Sequence, residues 1–241
     1  MKFISTVLLA GVMASAQELS HKIVLLDGYH NKETKQPNHY RWEGTDNGGF
    51  SVLGEMLKGM GAELKMTETA INPQVLTSVA CLIIVDPDTP AESDHPNYIG
   101  PEEIKAIVPW VENGGRLLLL GNDKGNAEFE HFNQLANRFG IHFVEGTVGK
   151  TSGKTILKLE GKGPIFANGS RFYGVDVAPL QVIRKNGPEV LLDYQNTPVM
   201  VLVHQGRGLV FALGDPWIYN EYIHREDNEA IARNLFLMLL R

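Results

Sequence analysis

The chain has 241 residues, 43% of them hydrophobic, a formal net charge of −6 and a single cysteine, Cys81. The length is enough to bury one sizeable core, and one thiol makes no internal disulfide, so packing has to hold the fold. The negative balance, with no Lys/Arg-rich run, argues against nucleic acid and anionic membrane surfaces as partners.

Residues 1–16 have the make-up of a secretory signal peptide. Lys2 supplies the positive region, Phe3 to Met13 the apolar stretch, and Ala14-Ser15-Ala16 the small-residue cleavage site before Gln17. The apolar stretch is too short for a membrane-spanning helix of about 20 residues, and no later stretch is long enough. A periplasmic or secreted protein is therefore predicted, with residues 17–241 as a single α/β domain.

A first strand runs from Lys22 to Asp27, followed by a polar loop from Gly28 to Gly48. A loop of about 20 residues inside a compact domain is usually functional or disordered, and this one carries His30, Asn31, His39, Tyr40, Arg41, Trp42 and Glu43. A helix is predicted from Gly49 to Met60, with Phe50, Leu53, Met56, Leu57 and Met60 on one face and Gly61 as its stop. A short strand follows at Glu63 to Thr67. The next apolar run, VACLIIV, holds Cys81 as a small buried hydrophobe and ends in Asp86-Pro-Asp88-Thr-Pro90.

Pro101-Glu-Glu opens a second helix, with proline in its first turn and acids at the positive dipole end. Ile104, Ile107, Val108 and Val111 form its buried face. A strand from Arg116 to Leu120 ends in the turn Gly121-Asn122-Asp123, and a third helix spans Ala127 to Phe139. From Val144 to Val203 the pattern changes to short β-like runs with turn residues, which look antiparallel. Gln205-Gly-Arg-Gly208 is a hairpin turn leading into the strand Leu209 to Leu213, and the last helix covers Asp227 to Leu240.

Four of these strands are near-continuous apolar runs, as expected where both faces of a strand are covered. Helical patterns separate most of them. The predicted fold is α/β, a mostly parallel flavodoxin/Rossmann-like sheet flanked by helices, with a β-rich segment at about 144–203. In such sheets ligands bind beyond the carboxyl ends of the strands.

The segment GRGLVFALGDPWIYNEYI followed by DNEAIARNLFLMLL, with LLDGYHN and WVENGGRLLLLGND earlier, resembles class I glutamine-amidotransferase-like domains. The resemblance is to a branch found beside unsaturated rhamnogalacturonyl hydrolases in polysaccharide-degrading bacteria. It implies the α/β fold and a setting of uronic-acid-containing, pectin-like oligosaccharides. The family's nucleophilic cysteine has no counterpart, because the matching turn reads Gly121-Asn122-Asp123. A carboxamide does not attack an acyl centre as a thiolate does, so glutamine hydrolysis is excluded.

The candidate chemistry lies at the strand ends. Asp86 and Asp215 are the leading acid/base carboxyls, with His30 or His39 as partner. Asn31, Arg41, Trp42, Asp88, Asn122, Trp217, Glu221 and His224 are candidate substrate contacts, with Arg41 as clamp for a sugar carboxylate. The plainer reading is that Asp beside Pro or Gly makes turns and caps helices, and that tryptophans cover the core edge. No H-E-x-x-H, C-x-x-C, Walker or G-x-G-x-x-G pattern occurs, so no cofactor and no metal ligands are assigned, although such carboxylates also suit a divalent cation such as calcium. The expected protein is saccharide-active, acting on uronic-acid-containing oligosaccharides as a hydrolase or lyase. The alternative is a non-catalytic carbohydrate-binding or complex-forming module. The β-rich segment either shapes the crevice or makes a homodimer.

Overall fold

A computed structural model describes residues 18–33, 39–149, 154–167 and 170–241. The signal-like segment 1–16 lies outside the described residues. The strands in chain order are β1 (Ile23–Asp27), β2 (Glu63–Thr67), β3 (Val79–Val85), β4 (Arg116–Leu120), β5 (Ile141–Phe143), β6 (Ile156–Glu160), β7 (Arg171–Val175), β8 (Leu180–Val182), β9 (Pro188–Tyr194), β10 (Thr197–Gln205) and β11 (Gly208–Leu213). The helices are α1 (Ser51–Gly59), α2 (Pro101–Glu112), α3 (Phe129–Ala136) and α4 (Asn228–Leu240).

Seven strands form the central sheet in the order β2-β1-β3-β4-β11-β10-β9. The first five pair in parallel, and β10 and β9 extend the sheet antiparallel. The sheet is thus mostly parallel. The apolar runs are continuous because alternate side chains go to opposite covered faces. Val24 and Leu26 of β1, Cys81, Ile83 and Val85 of β3, and Leu118 and Leu120 of β4 pack on the face covered by Leu53 and Leu57 of α1 and Ile231 and Leu235 of α4. Leu25, Leu82, Ile84, Leu117 and Leu119 take the other face, under Ile107 and Val111 of α2 and Phe132 and Leu135 of α3. Each such side chain contributes about 1.5–3 kcal/mol by leaving water.

Arg116, at the start of β4, donates from Nε to the Leu239 carbonyl of α4 at 2.6 Å and from Nη1 to the Gly114 and Arg207 carbonyls at 2.6 and 3.1 Å. It thereby caps the last turn of α4 and joins it to the sheet. The third helix is shorter than its apolar pattern predicts. Its N-cap is Glu128, whose carboxylate accepts the His131 N–H, and a 3-10 turn takes over at Asn137–Phe139 before Gly140 ends it at φ 82°. The β10–β11 hairpin turns at Gly206, with φ 59°.

The segment 144–203 divides its strands. β9 and β10 join the central sheet, β6 pairs with β7, and β8 pairs with β5. β7 was not among the predicted runs, because Gly174 interrupts it and its burial alternates instead of running continuously. Among the described residues, no helix is long and apolar enough to cross a membrane.

Candidate functional site

The chain passes from β1 through α1 to β2 and then crosses back over β1 to β3. Strand order therefore reverses between β1 and β3, the place where sheets of this kind commonly bind ligands at their carboxyl ends. Asp27 closes β1. Its Oδ1 accepts the N–H groups of Tyr29 and His30, and its Oδ2 lies 2.6 Å from His30 Nδ1. His30 Nε2 lies 3.3 Å from Glu103 Oε2, and Glu103 also accepts the N–H groups of Ile71 and Gly100. His30 is fully enclosed, with carboxylates on both ring nitrogens. Burial pulls its pKa down most strongly, but Asp27 and then Glu103 outweigh burial and lift it to about 10. The ring is an imidazolium clamp at neutral pH. The expectation of His30 as a catalytic base is corrected: it has no free nitrogen and no route to a substrate.

Asn31 and Asp88 tie the loop after β1 to the loop after β3. Asn31 Nδ2 donates to the Asp86 carbonyl at 2.7 Å, Asp88 accepts the Lys32 and Glu33 N–H groups, and the Asp88 N–H donates to the His30 carbonyl at 2.8 Å. Both side chains are buried. They position the loops and are not substrate contacts as expected from sequence.

Beside this knot lies a cavity of about 310 Å³. His39, Tyr40 and Gly48 form one wall, Asn122, Asp123 and Asn126 the floor after β4, and Asp215, Tyr219, Glu221 and Tyr222 the wall after β11. Lys154 and Asp176 come from the β-rich half of the chain. Of the residues expected from sequence, His39, Asn122, Asp215 and Glu221 meet here. Asp86 stands directly behind, its Oδ2 accepting from Asn122 Nδ2 at 2.8 Å. His39 is already engaged, with Nδ1 2.7 Å from Glu33 Oε1, and this bond raises its pKa.

Gly214 precedes Asp215, and its carbonyl accepts the Ala178 N–H at 2.8 Å. A Cβ on Gly214 would collide with the Ala178 backbone. The Gly-Asp-Pro turn thus needs its glycine for a close approach between two backbones. Glu33, Tyr40 and Asp86 all adopt positive φ, of 32°, 45° and 45°. Such strain in non-glycine residues costs on the order of 1–3 kcal/mol each and gathers at functional sites.

Burial raises the Asp215 pKa to about 8, helped by the charges of Asp123 and Asp176 and opposed by the N–H groups of Trp217 and Val175. Burial also pushes Asp86 well above the carboxylate range, with Glu92 and Glu33 adding repulsion. Asp215 Oδ1 and Asp86 Oδ1 are buried without a hydrogen-bond partner among the described residues. Two groups of side chains are close enough to share a metal ion, Glu33 with Asp86 and Glu92, and Glu128 with Glu130 and His131.

Four expected contacts lie elsewhere. Arg41 sits against Glu68 at 3.5 Å and Met66, outside the cavity, so it clamps no ligand there. Trp42 is buried against Phe50 and donates from Nε1 to the Lys65 carbonyl at 2.9 Å. Trp217 is completely buried with Phe172 and offers no ring face to solvent. His224 is exposed and paired with Glu229 at 3.0 Å. Glu33, Glu92, Glu103, Lys154 and Asp176 were not singled out from sequence. Glu103 had been read only as a helix-start acid, and the others stand in irregular segments where no periodicity marks them.

Residues 44–236 match the family described as Domain of unknown function (DUF4350). The chain belongs to that family. This overturns the resemblance to glutamine-amidotransferase-like domains and to the rhamnogalacturonyl hydrolase setting. The motifs behind that resemblance are strand-end turns and a closing helix, which other α/β sheets share. None of the curated proteins compared with this DUF4350 chain matches it. Solved structures share its fold. The mmIFT52 N-terminal domain superposes with a TM-score of 0.69 at 18% identity, covering 90% of this chain and 97% of that one. Cytoplasmic Protein STM1381 from Salmonella typhimurium LT2 gives 0.63 at 14% identity, covering 91% and 100%. The exo-beta-1,4-mannosidase Op5Man5 from Opitutaceae bacterium strain TAV5 gives 0.52 at 14% identity, and the match covers 90% of the DUF4350 chain but 36% of the mannosidase. At these identities the likeness is one of fold alone.

Proposed function

We propose that the protein binds a neutral saccharide in the cavity beyond β4 and β11. The observation that carries this reading is the make-up of the cavity wall. Amides and carboxyls, Asn122, Asn126 and Asp215 among them, line it together with Tyr40, Tyr219 and Tyr222. Such a wall suits a ligand that is rich in hydroxyls on its edges and apolar on its ring faces. Asp215 Oδ1, buried and unpartnered, is positioned to take up one ligand hydroxyl. A uronic acid fits less well, because Asp123, Asp176 and Glu221 line the cavity, Lys154 is the one Lys or Arg among the described lining residues, and Arg41 is elsewhere. The order β2-β1-β3-β4-β11 also supports a flavodoxin-like sheet. The signal-like segment makes the periplasm or cell exterior the setting in which the ligand is met.

The test is a thermal-shift and calorimetry panel of neutral and uronic-acid oligosaccharides on the wild-type chain and on Asn122→Ala and Tyr222→Ala. Binding of a neutral sugar that both variants lose supports the reading. No binding anywhere in the panel, or binding that both variants keep, rejects it.

A catalytic reading is favoured by one further observation. Asp215, with its pKa near 8, holds a proton at neutral pH in a cavity that also contains Asp123 and Asp176. A protonated carboxyl with further carboxyls close by is the usual arrangement for acid and base in glycoside cleavage. Mass spectrometry of incubated oligosaccharides decides this: products that Asp215→Asn abolishes while binding persists establish an enzyme, and their absence leaves a binding module.

A further inference from the structure

Behind the His39–Tyr40 wall, the carboxylates of Glu33, Asp86 and Glu92 converge from the loop after β1, the end of β3 and the loop beyond it. One oxygen from each lies within 4.8 Å of the other two. Calcium takes several carboxylate and carbonyl oxygens in a flexible shell, whereas magnesium usually takes only one or two carboxylates and keeps its waters.

Acidic groups often cluster without an ion, but a second observation distinguishes these. Asp86 is 2% exposed, its Oδ2 is taken by Asn122, the Tyr40 phenol stands beside the carboxyl, and its Oδ1 meets no donor in good hydrogen-bond geometry among the described residues. Asn31 is 1% exposed, holds the Asp86 carbonyl through its Nδ2 at 2.7 Å, and likewise leaves its Oδ1 without a partner. Two buried oxygens without donors, one of them on a carboxyl of the cluster, forfeit solvation unless something positive meets them. His39 faces the cluster with one imidazole, held on Glu33. Asp88 adds a further acid that repels Glu33 and Glu92. Arg41 also acts on Asp88, so four carboxyls face two positive groups.

The geometry points to one calcium ion held by Glu33, Asp86 and Glu92, with water completing its shell. All of these donors are oxygens, the set calcium prefers. The ion would pin the loop carrying His39 and Tyr40 to the end of β3 and so fix one wall of the cavity. Neither the site nor its test depends on what the cavity binds.

Calcium chloride is titrated by calorimetry into wild-type chain freed of metal by chelator, with magnesium chloride in parallel and thermal unfolding recorded at each step. The expected result is one calcium per chain, a higher unfolding temperature with calcium, and a weaker response to magnesium. Glu92→Gln should weaken calcium by about tenfold or more, while Glu130→Gln, in the other acidic group, should leave it unchanged. No calcium uptake by the wild type overturns the site, and so does equal uptake by Glu92→Gln and Glu33→Gln. If Glu92→Gln does not fold, terbium added to the wild type gives the reading. The Tyr40 phenol, beside Asp86, should sensitise terbium emission that calcium displaces. Absence of that emission also rejects the site.

Discussion

Two groups of buried polar residues lie side by side at the carboxyl ends of the strands, and they differ in how completely they are satisfied. In the knot after β1, both nitrogens of His30 and both oxygens of Asp27 and of Glu103 have partners. Beside the cavity after β4 and β11, Asp86 and Asp215 each keep a buried oxygen without a partner among the described residues. A closed network is a structural part, because every polar atom has exchanged water for protein. An open one is where a ligand or ion supplies the missing partner. Type of residue alone does not separate the two, since Asp, His and Glu populate both.

The largest expected effect comes from breaking the closed network. His30→Ala leaves Asp27 and Glu103 buried without their shared cation and should cost about 3–5 kcal/mol, measured by urea unfolding. The same histidine gives the comparison a pH signature. Its folded pKa of about 10 exceeds the unfolded value of about 6.5, so its stabilisation is complete below about 6.5 and is lost as pH rises through about 10. Wild-type stability should therefore fall across that window, and His30→Ala should not show that component.

Next in size is Gly214→Ala, which forces the Asp215 turn off Ala178 and should cost about 1–3 kcal/mol by overpacking, with weaker ligand binding in the same preparation. Asp215→Asn tests the open side and is expected to act in the opposite direction. The folded pKa of Asp215, about 8, lies above that of a free aspartate, so the carboxyl detracts from stability as pH rises from about 4 through 8. The neutral amide should gain about 1–2 kcal/mol relative to wild type at pH 8 and nothing at pH 4, as read from paired thermal melts. If Asp215→Asn is as damaging as His30→Ala at every pH, the distinction between closed and open networks fails. The smallest effect is expected for His224→Ala, which removes an exposed ion pair and should stay within about 0.5 kcal/mol.

The strands were legible because burial on both faces writes itself as an unbroken apolar run, and Cys81 inside VACLIIV is as buried as predicted. The position of the crevice followed from the same runs and their polar ends. The role of each residue in it did not. His30 and His39 stand in one loop and look equivalent in sequence, yet what separates them is Glu103, which arrives from 73 residues away. Trp42 and Trp217 looked like ligand platforms because polar residues surround them in sequence. In space their rings are surrounded by Phe50 and Phe172, and sequence neighbours do not report that.

The place of β11 in the sheet has a consequence for how the chain is made. β11 fills the gap between β4 and β10, and residues 209–213 are the parallel partners of residues 116–120. Until β11 has left the ribosome, β4 has one bare edge of amides and carbonyls and an apolar surface meant for both faces. Contacts that close over so many residues form slowly and expose aggregation-prone edges meanwhile. The nascent chain carries this unpaired edge for nearly 90 residues of synthesis, so a holding chaperone would meet it still unfolded.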